Sequence, residues 1–226
     1  RLPANLGEFT GGLVAHYPFN GNAKDESGKG NDGDVKGAAL AEDRHGKADS
    51  AYSFDGVDDH IYITSSHNLK EMESVSVSLW MKVNEKQNPA EQGYNSIVAR
   101  WGGRRSSQNS FWIGTKSGGT HISACVWPHG TPQVQKEFSR NDWLHVVYAH
   151  DSMGEAALFF NGEGVVHKSV KMELKTFDEP LIFGADEHGS KAFFKGSLDN
   201  VRIYNRALSA EEVKALYDLE KPKESG

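Results

Sequence analysis

The sequence predicts an all-β fold: an antiparallel jelly-roll sandwich of two sheets with one short C-terminal helix. Three observations predict it. Apolar and polar residues alternate with period two, most clearly in Ser74-Val75-Ser76-Val77-Ser78-Leu79-Trp80-Met81-Lys82-Val83, the pattern of a strand with one buried face. Glycine, asparagine, aspartate and proline punctuate nearly every gap between such runs, and these residues make turns. The length of 226 residues suits one large sandwich, which runs to roughly 200–250 residues as a single domain.

Taken in order, a short apolar strand opens at Leu13-Val14-Ala15-His16-Tyr17 and runs straight into a loop of Asn, Asp, Ser and Gly. Further strands are expected over 52–54, 60–63, 74–83, 96–100, 110–114, 121–127, 143–150, 156–160, 165–170, 180–184 and 195–204. In the strand over 74–83, Val75, Val77, Leu79, Met81 and Val83 form the inner row. The other row is three serines, Trp80 and Lys82, which is no ordinary core face. Asn161-Gly162-Glu163-Gly164 is a hairpin turn signal. The helix starts at Ser209-Ala210-Glu211-Glu212, where Ser209 caps and Glu212 reaches back. Val213, Leu216 and Tyr217 then share one helical face that packs on the sandwich. The domain is expected over 12–219, between polar tails at 1–11 and 220–226, and the chain reads as a module cut from something larger.

A chain of this size can bury roughly 70% of its unfolded surface, so neither disulfide nor metal is needed merely to create a core. The net charge of -6 argues against nucleic acid, which favours a clustered basic surface. No apolar run approaches the roughly 20 residues of a membrane span, and the start of the chain lacks a signal-peptide pattern. Cys125 is the single cysteine and cannot form an internal bridge; many secreted bacterial proteins also lack disulfides, so it decides little about compartment.

The loop after the first strand, Asn20-Gly21-Asn22-Ala23-Lys24-Asp25-Glu26-Ser27-Gly28-Lys29-Gly30-Asn31-Asp32-Gly33, offers carboxylate, amide and carbonyl oxygens of the kind hard cations take. It has a counterpart in Gly196-Ser197-Leu198-Asp199-Asn200-Val201-Arg202-Ile203-Tyr204-Asn205-Arg206. Together the two segments resemble the signature of laminin G-like jelly-roll domains of the concanavalin A-like lectin and glucanase superfamily, and the resemblance spans about 13–217. It implies that the first and last strands are neighbours and that a structural calcium sits there, held by Asn20, Asn22, Asp25 and Asp199. Ser27 and Asn31 are weaker ligands. The alternative is an Asx-rich turn without metal, its side chains bonding their own backbone. Asp55-Gly56-Val57-Asp58-Asp59 resembles the family's Phe-Asp-Gly turn, with Asp58 and Asp59 at a loop tip that could serve a ligand or second cation.

The superfamily includes glycosidases and lyases, so catalysis needs its own examination. A retaining glycosidase needs two carboxylates about 5–5.5 Å apart, and no Glu-x-Asp-x-x-Glu or Glu-x-Asp-x-Glu strand occurs. The lyase strands Gln-x-His and Tyr-x-Lys are also missing, and His188 has no nucleophile near it in sequence. Zinc is not expected. The 10 histidines include no His-Glu-x-x-His, and His145 and His150 are an odd number apart on one strand. The chain is not expected to be an enzyme.

A binding module needs a recognition surface. Arg100-Trp101-Gly102-Gly103-Arg104-Arg105 and Trp127-Pro128-His129 bring guanidinium forks and aromatic rings together in an acidic chain. Planar guanidinium groups bind carboxylate or sulfate bidentately, which suits acidic polysaccharides. Arg100, Trp101, Arg104, Arg105, Trp127 and His129 are the candidate carbohydrate contacts; the alternative is packing and loop solubility. Trp80, Trp112 and Trp143 read as core residues. The leading expectation is a non-catalytic carbohydrate-binding module with structural calcium, from a secreted or surface protein, bacterial in character. Its partners would be a polysaccharide or glycan and the other domains of its parent, with no nucleic acid and no membrane insertion. The alternative is an adhesion, protein-binding or spacer module.

Overall fold

The strand with the strictest alternation lies at the middle of one of two antiparallel sheets. The computed structural model describes residues 9–64, 67–70, 72–83, 87, 93–100, 110–116, 118–127, 134–169, 174, 179–186 and 189–223. Its strands are β1 (Leu13–Tyr17), β2 (Gly33–Lys36), β3 (Ala39–Ala41), β4 (Ala51–Asp55), β5 (His60–Ile63), β6 (Val75–Lys82), β7 (Tyr94–Arg100), β8 (Ser110–Lys116), β9 (His121–Trp127), β10 (Val134–Glu137), β11 (Leu144–His150), β12 (Glu155–Phe160), β13 (Glu163–Ser169), β14 (Leu181–Phe183) and β15 (Lys195–Tyr204). A single turn of helix, α1 (His67–Lys70), precedes β6, and α2 (Ala210–Glu220) follows β15.

Among the described residues the first sheet runs β13-β12-β11-β6-β15-β4-β3, and the second runs β10-β9-β8-β7-β14-β5-β2. Strand β15 is the keystone of the first. One flank pairs with β6; the other pairs with β4 over Lys195–Leu198 and with β1 from Val201 onward. The first and last strands are therefore neighbours. Where β15 changes partner its register slips, and Asn200 adopts a left-handed φ of 49°, as a bulge that re-aims a side chain does.

Between the sheets lies one continuous core, built from the expected inner row of β6 with Ile61, Ile97, Ile113, Ile122, Tyr148, Leu158, Phe183 and Ile203. On the other row of β6, Ser76, Ser78 and Trp80 are buried too, beneath α2. Each of their polar side-chain atoms has a partner: Ser76 Oγ accepts from Leu208 N at 2.8 Å, Ser78 Oγ meets His145 Nε2 at 2.9 Å, and Trp80 Nε1 donates to Glu220 Oε2 at 2.8 Å. This explains serines on a buried face, because a buried hydroxyl is tolerated when it is bonded. Around them Val147, Ala149, Phe159, Tyr204, Leu208 and Val213 form a second apolar cluster. Burying Val213 and Leu216 stabilises by roughly 1.5–3 kcal/mol each.

Both halves of the capping box are present: Glu212 N donates to Ser209 Oγ at 3.2 Å, and Ser209 N to Glu212 Oε2 at 2.9 Å. Three strands went unforeseen: β2, β3 and β10. Each is a short edge strand of three or four residues, which takes its order from its neighbour's ladder and buries too little to show a period.

Candidate functional site

The loop after β1 is organised by Asp25. Its Oδ1 accepts the main-chain N–H of His16 at 2.9 Å and of Ser27 at 2.8 Å, and its Oδ2 accepts Ser27 Oγ at 2.9 Å and Asn31 N at 3.0 Å. Burial disfavours its charge, but these bonds, that of Asn31 foremost, outweigh it and hold the carboxyl below its ordinary pKa. The amides are engaged as well. Asn22 Oδ1 accepts Lys24 N at 2.8 Å, Asn22 Nδ2 donates to Asn20 O at 3.2 Å, and Asn20 Oδ1 accepts Lys47 Nζ at 2.9 Å.

Asp199 stands in different company. Its carboxylate is ion-paired with Arg44, whose side chain is itself 9% exposed, and burial pushes its pKa up to about 6. Arg44 also donates through Nε to Glu220 O at 2.8 Å and lies over the Trp80 ring, 5.1 Å from its centroid. No described hydrogen bond or ion pair joins Asp199 to Asp25. The donor set implied for calcium thus departs from expectation: the Asp25 oxygens are filled by N–H and O–H donors, and Asp199 faces a guanidinium. Charge-assisted partners of this kind are strong and leave little room for a cation.

Among the described residues the carboxylates that do gather are Asp55, Asp58 and Asp59, with one oxygen of each within 4.8 Å of the others. Asp55 Oδ1 accepts Val57 N at 2.8 Å, which is the expected turn bond, and Asp59 Oδ2 accepts Asp55 N at 2.9 Å. Burial raises the Asp59 pKa.

Of the candidate carbohydrate contacts, Trp101, Arg104, Arg105 and His129 lie outside the described residues, as does His188. Trp127 is described only as backbone, the last residue of β9 opposite Ser110. Arg100 does not stand on a surface. It pairs with Phe111, whose ring is in the core, is 2% exposed and donates through Nε to Glu179 O at 3.3 Å. Directly paired residues share a face, so β7 turns this arginine inward.

Trp80 and Trp112 are buried as expected, and Trp112 Nε1 donates to Ser96 Oγ at 2.6 Å. Trp143 is not a core residue. It precedes β11, is half-buried, and lines a groove of about 540 Å³ with Phe138, Phe160, Asp142, Asn161 and Lys136. The groove lies where β10, the edge of the second sheet, meets β12 and β13 at the edge of the first. Sequence reasoning missed it because Trp143 adjoins a strongly apolar strand; the Asn141-Asp142 pair before it was the available signal. A second cavity, of about 580 Å³, lies beside β1 against His16, Lys29 and Arg202. Two of those groups are already engaged, His16 with Asn200 at 2.8 Å and Arg202 with Glu220.

The model of the concanavalin A-like lectin/glucanases superfamily matches residues 55–214. Over 87 residues the chain is 32% identical to paraclostridial mosquitocidal protein 1 of Paraclostridium bifermentans, which covers 38% of this chain and 7% of that protein. The binding domain of botulinum neurotoxin serotype D superposes with a TM-score of 0.72 at 17% identity, over 94% of this chain and 52% of that one. This chain thus spans about half of such toxin domains. Domain 4 of AbnA, a GH43 extracellular arabinanase from Geobacillus stearothermophilus, solved in complex with arabinotriose, superposes with a TM-score of 0.69 at 21% identity, over 91% of this chain and 98% of that domain. At these identities the structural likenesses show a shared fold.

Proposed function

This chain belongs to the concanavalin A-like lectin/glucanases superfamily, and from that membership we propose that it is a non-catalytic carbohydrate-binding module of a larger secreted or surface protein. One observation carries the reading: its likeness to an arabinanase domain holding arabinotriose extends over nearly the whole of both chains. A fold so widely reused does not name its ligand, so binding itself must decide. In affinity electrophoresis, at least one polysaccharide among arabinan, laminarin and alginate should retard the purified protein, with no reducing ends or unsaturated uronate released. Acidic sugars would meet Trp101, Arg104, Arg105, Trp127 and His129; Arg100, engaged inside the sandwich, drops from that set. Turnover that survives repurification and is abolished by one substitution would sink the non-catalytic part.

The likeness to toxin binding domains favours a second reading, a protein-binding or adhesion module. Failure to bind any glycan would move the assignment there.

Calcium enters the proposal at Asp55, Asp58 and Asp59, whose oxygens suit a hard cation. A cation held only by the native state raises its stability by mass action. Melting temperature should therefore rise with millimolar calcium and fall with chelator, and Asp58→Asn should remove the difference. Identical melting curves with calcium and with chelator would exclude it.

A further inference from the structure

We propose that the groove between the end of β10, the approach to β11 and the β12–β13 turn binds a neutral oligosaccharide; this rests on the carbohydrate-binding reading and gives it a place and a ligand class. The groove has the composition such a ligand needs. A sugar ring has a C–H face that lies on an aromatic surface and a rim of hydroxyls that both donate and accept. Trp143 supplies a half-buried side chain outside the core, beside Phe138 and Phe160, which pack against the core. Asp142, Glu137 and Asn161 bring acceptors, while Lys136 and the Asn161 amide bring donors. Ligand sites are commonly of this size, roughly 300–1,000 Å³, with apolar walls and a few placed polar groups.

Charge separates the ligand classes. Two carboxylates and one lysine line the groove, so its local charge is negative in a chain already at -6. An acidic sugar would be repelled, whereas hydroxyl pairs can bridge a carboxylate.

The groove is also held in shape before any ligand arrives. The crossing segment is tied to both sheets, by Phe138 N to Thr120 O at 3.0 Å and by Asn141 N to Val83 O at 3.0 Å. Asn141 takes a left-handed φ of 79° there. On the opposite wall Asn161, at φ 50°, is fixed twice to His145, its N donating to His145 O at 2.9 Å and its Oδ1 accepting His145 N at 3.0 Å. Walls fixed in this way reduce the ordering cost of binding.

The test is titration calorimetry with arabinotriose, xylotriose and cellotriose, against trigalacturonate as the acidic counterpart, with amide chemical shifts followed by NMR. At least one neutral trisaccharide should bind and should shift the amides of Phe138, Ser139, Trp143 and Asn161. Trp143→Ala should weaken it by roughly tenfold or more, as removal of a central aromatic contact does. Trp143→Phe should keep most of the affinity, and Asp142→Ala should weaken it several-fold with the melting temperature unchanged. Should Trp143→Ala unfold, the amide shifts of the unsubstituted protein decide the place. Shifts confined to other residues, or full affinity in a folded Trp143→Ala, overturn the groove while leaving carbohydrate binding standing. Trigalacturonate shifting the amides of Phe138, Ser139, Trp143 and Asn161 in preference to the neutral trisaccharides, or polysaccharide binding with no neutral trisaccharide bound, overturns the neutral ligand class. Binding of no glycan at all overturns the module reading itself.

Discussion

Glu220→Ala should destabilise the domain by roughly 3–5 kcal/mol, the cost of leaving a buried charge without its partner. Glu220 is the last residue of α2, and its side chain is fully buried. One oxygen takes Arg202, the other takes Trp80 Nε1, and its main-chain carbonyl takes Arg44. Tyr217 stacks on Trp80 with ring centroids 5.7 Å apart and planes at 22°. The last turn of the helix thus fastens to the outer face of the first sheet through one carboxylate. Urea denaturation of Glu220→Ala measures the loss. The double variant Arg202→Met with Glu220→Leu should recover much of it, because an apolar pair of similar volume can replace a buried ion pair. A single-variant loss below about 1 kcal/mol would mean the pair does not hold the helix.

The second large effect is loss of stability in acid. Burial, and then the positive charges of Arg202 and Arg44, push the pKa of His145 down to about 3 from 6.5. Its ring is closed in by Trp80, Tyr217 and Ser78. Burial, with Arg202, likewise lowers His16 to about 4. A histidine held neutral in the folded state takes up its proton only on unfolding. Its contribution is therefore full above pH 6.5 and declines as the pH falls toward the folded value. By pH 4 each histidine costs roughly 3 kcal/mol. Asp199 acts in the opposite sense. Its folded pKa of about 6 lies above the ordinary 3.8, so stability gained by protonation in that window offsets about one of the two histidines. Melting temperature should fall steadily from pH 6.5 to pH 4, and His145→Gln should remove most of that slope. A slope unchanged in His145→Gln would refute the assignment.

The sandwich was legible because β6 alternates apolar and polar residues and because glycine, asparagine, aspartate and proline mark the gaps between strands. The helix was legible through its capping box. Glu220 was read as the first residue of a polar tail because nothing in Glu220-Lys221-Pro222 signals that Arg202 and Trp80 lie across from it. The pairing of Arg44 with Asp199 is likewise 155 residues apart, beyond any local pattern. Arg100 misled for a related reason. An arginine at the end of an apolar strand is ordinarily read as leaving the sheet, and only the ladder partner, Phe111, reveals that it turns in. Trp143 erred the other way, since one residue of strand boundary separates a core position from a groove wall.

The place of β15 sets the order in which the molecule can be made. The centre of the first sheet comes from residues 195–204, near the end of the described chain, yet β1, β4 and β6 all pair with them. During synthesis three strands that face β15 leave the ribosome long before it does, each with an unpaired edge. Closing such distant contacts makes folding slow, in the range of milliseconds to seconds for sandwiches, and exposed edges invite pairing with other chains. A chain cut anywhere before β15 would keep the two halves of its first sheet apart. Productive folding is therefore a late, concerted event that waits for the final strand to enter.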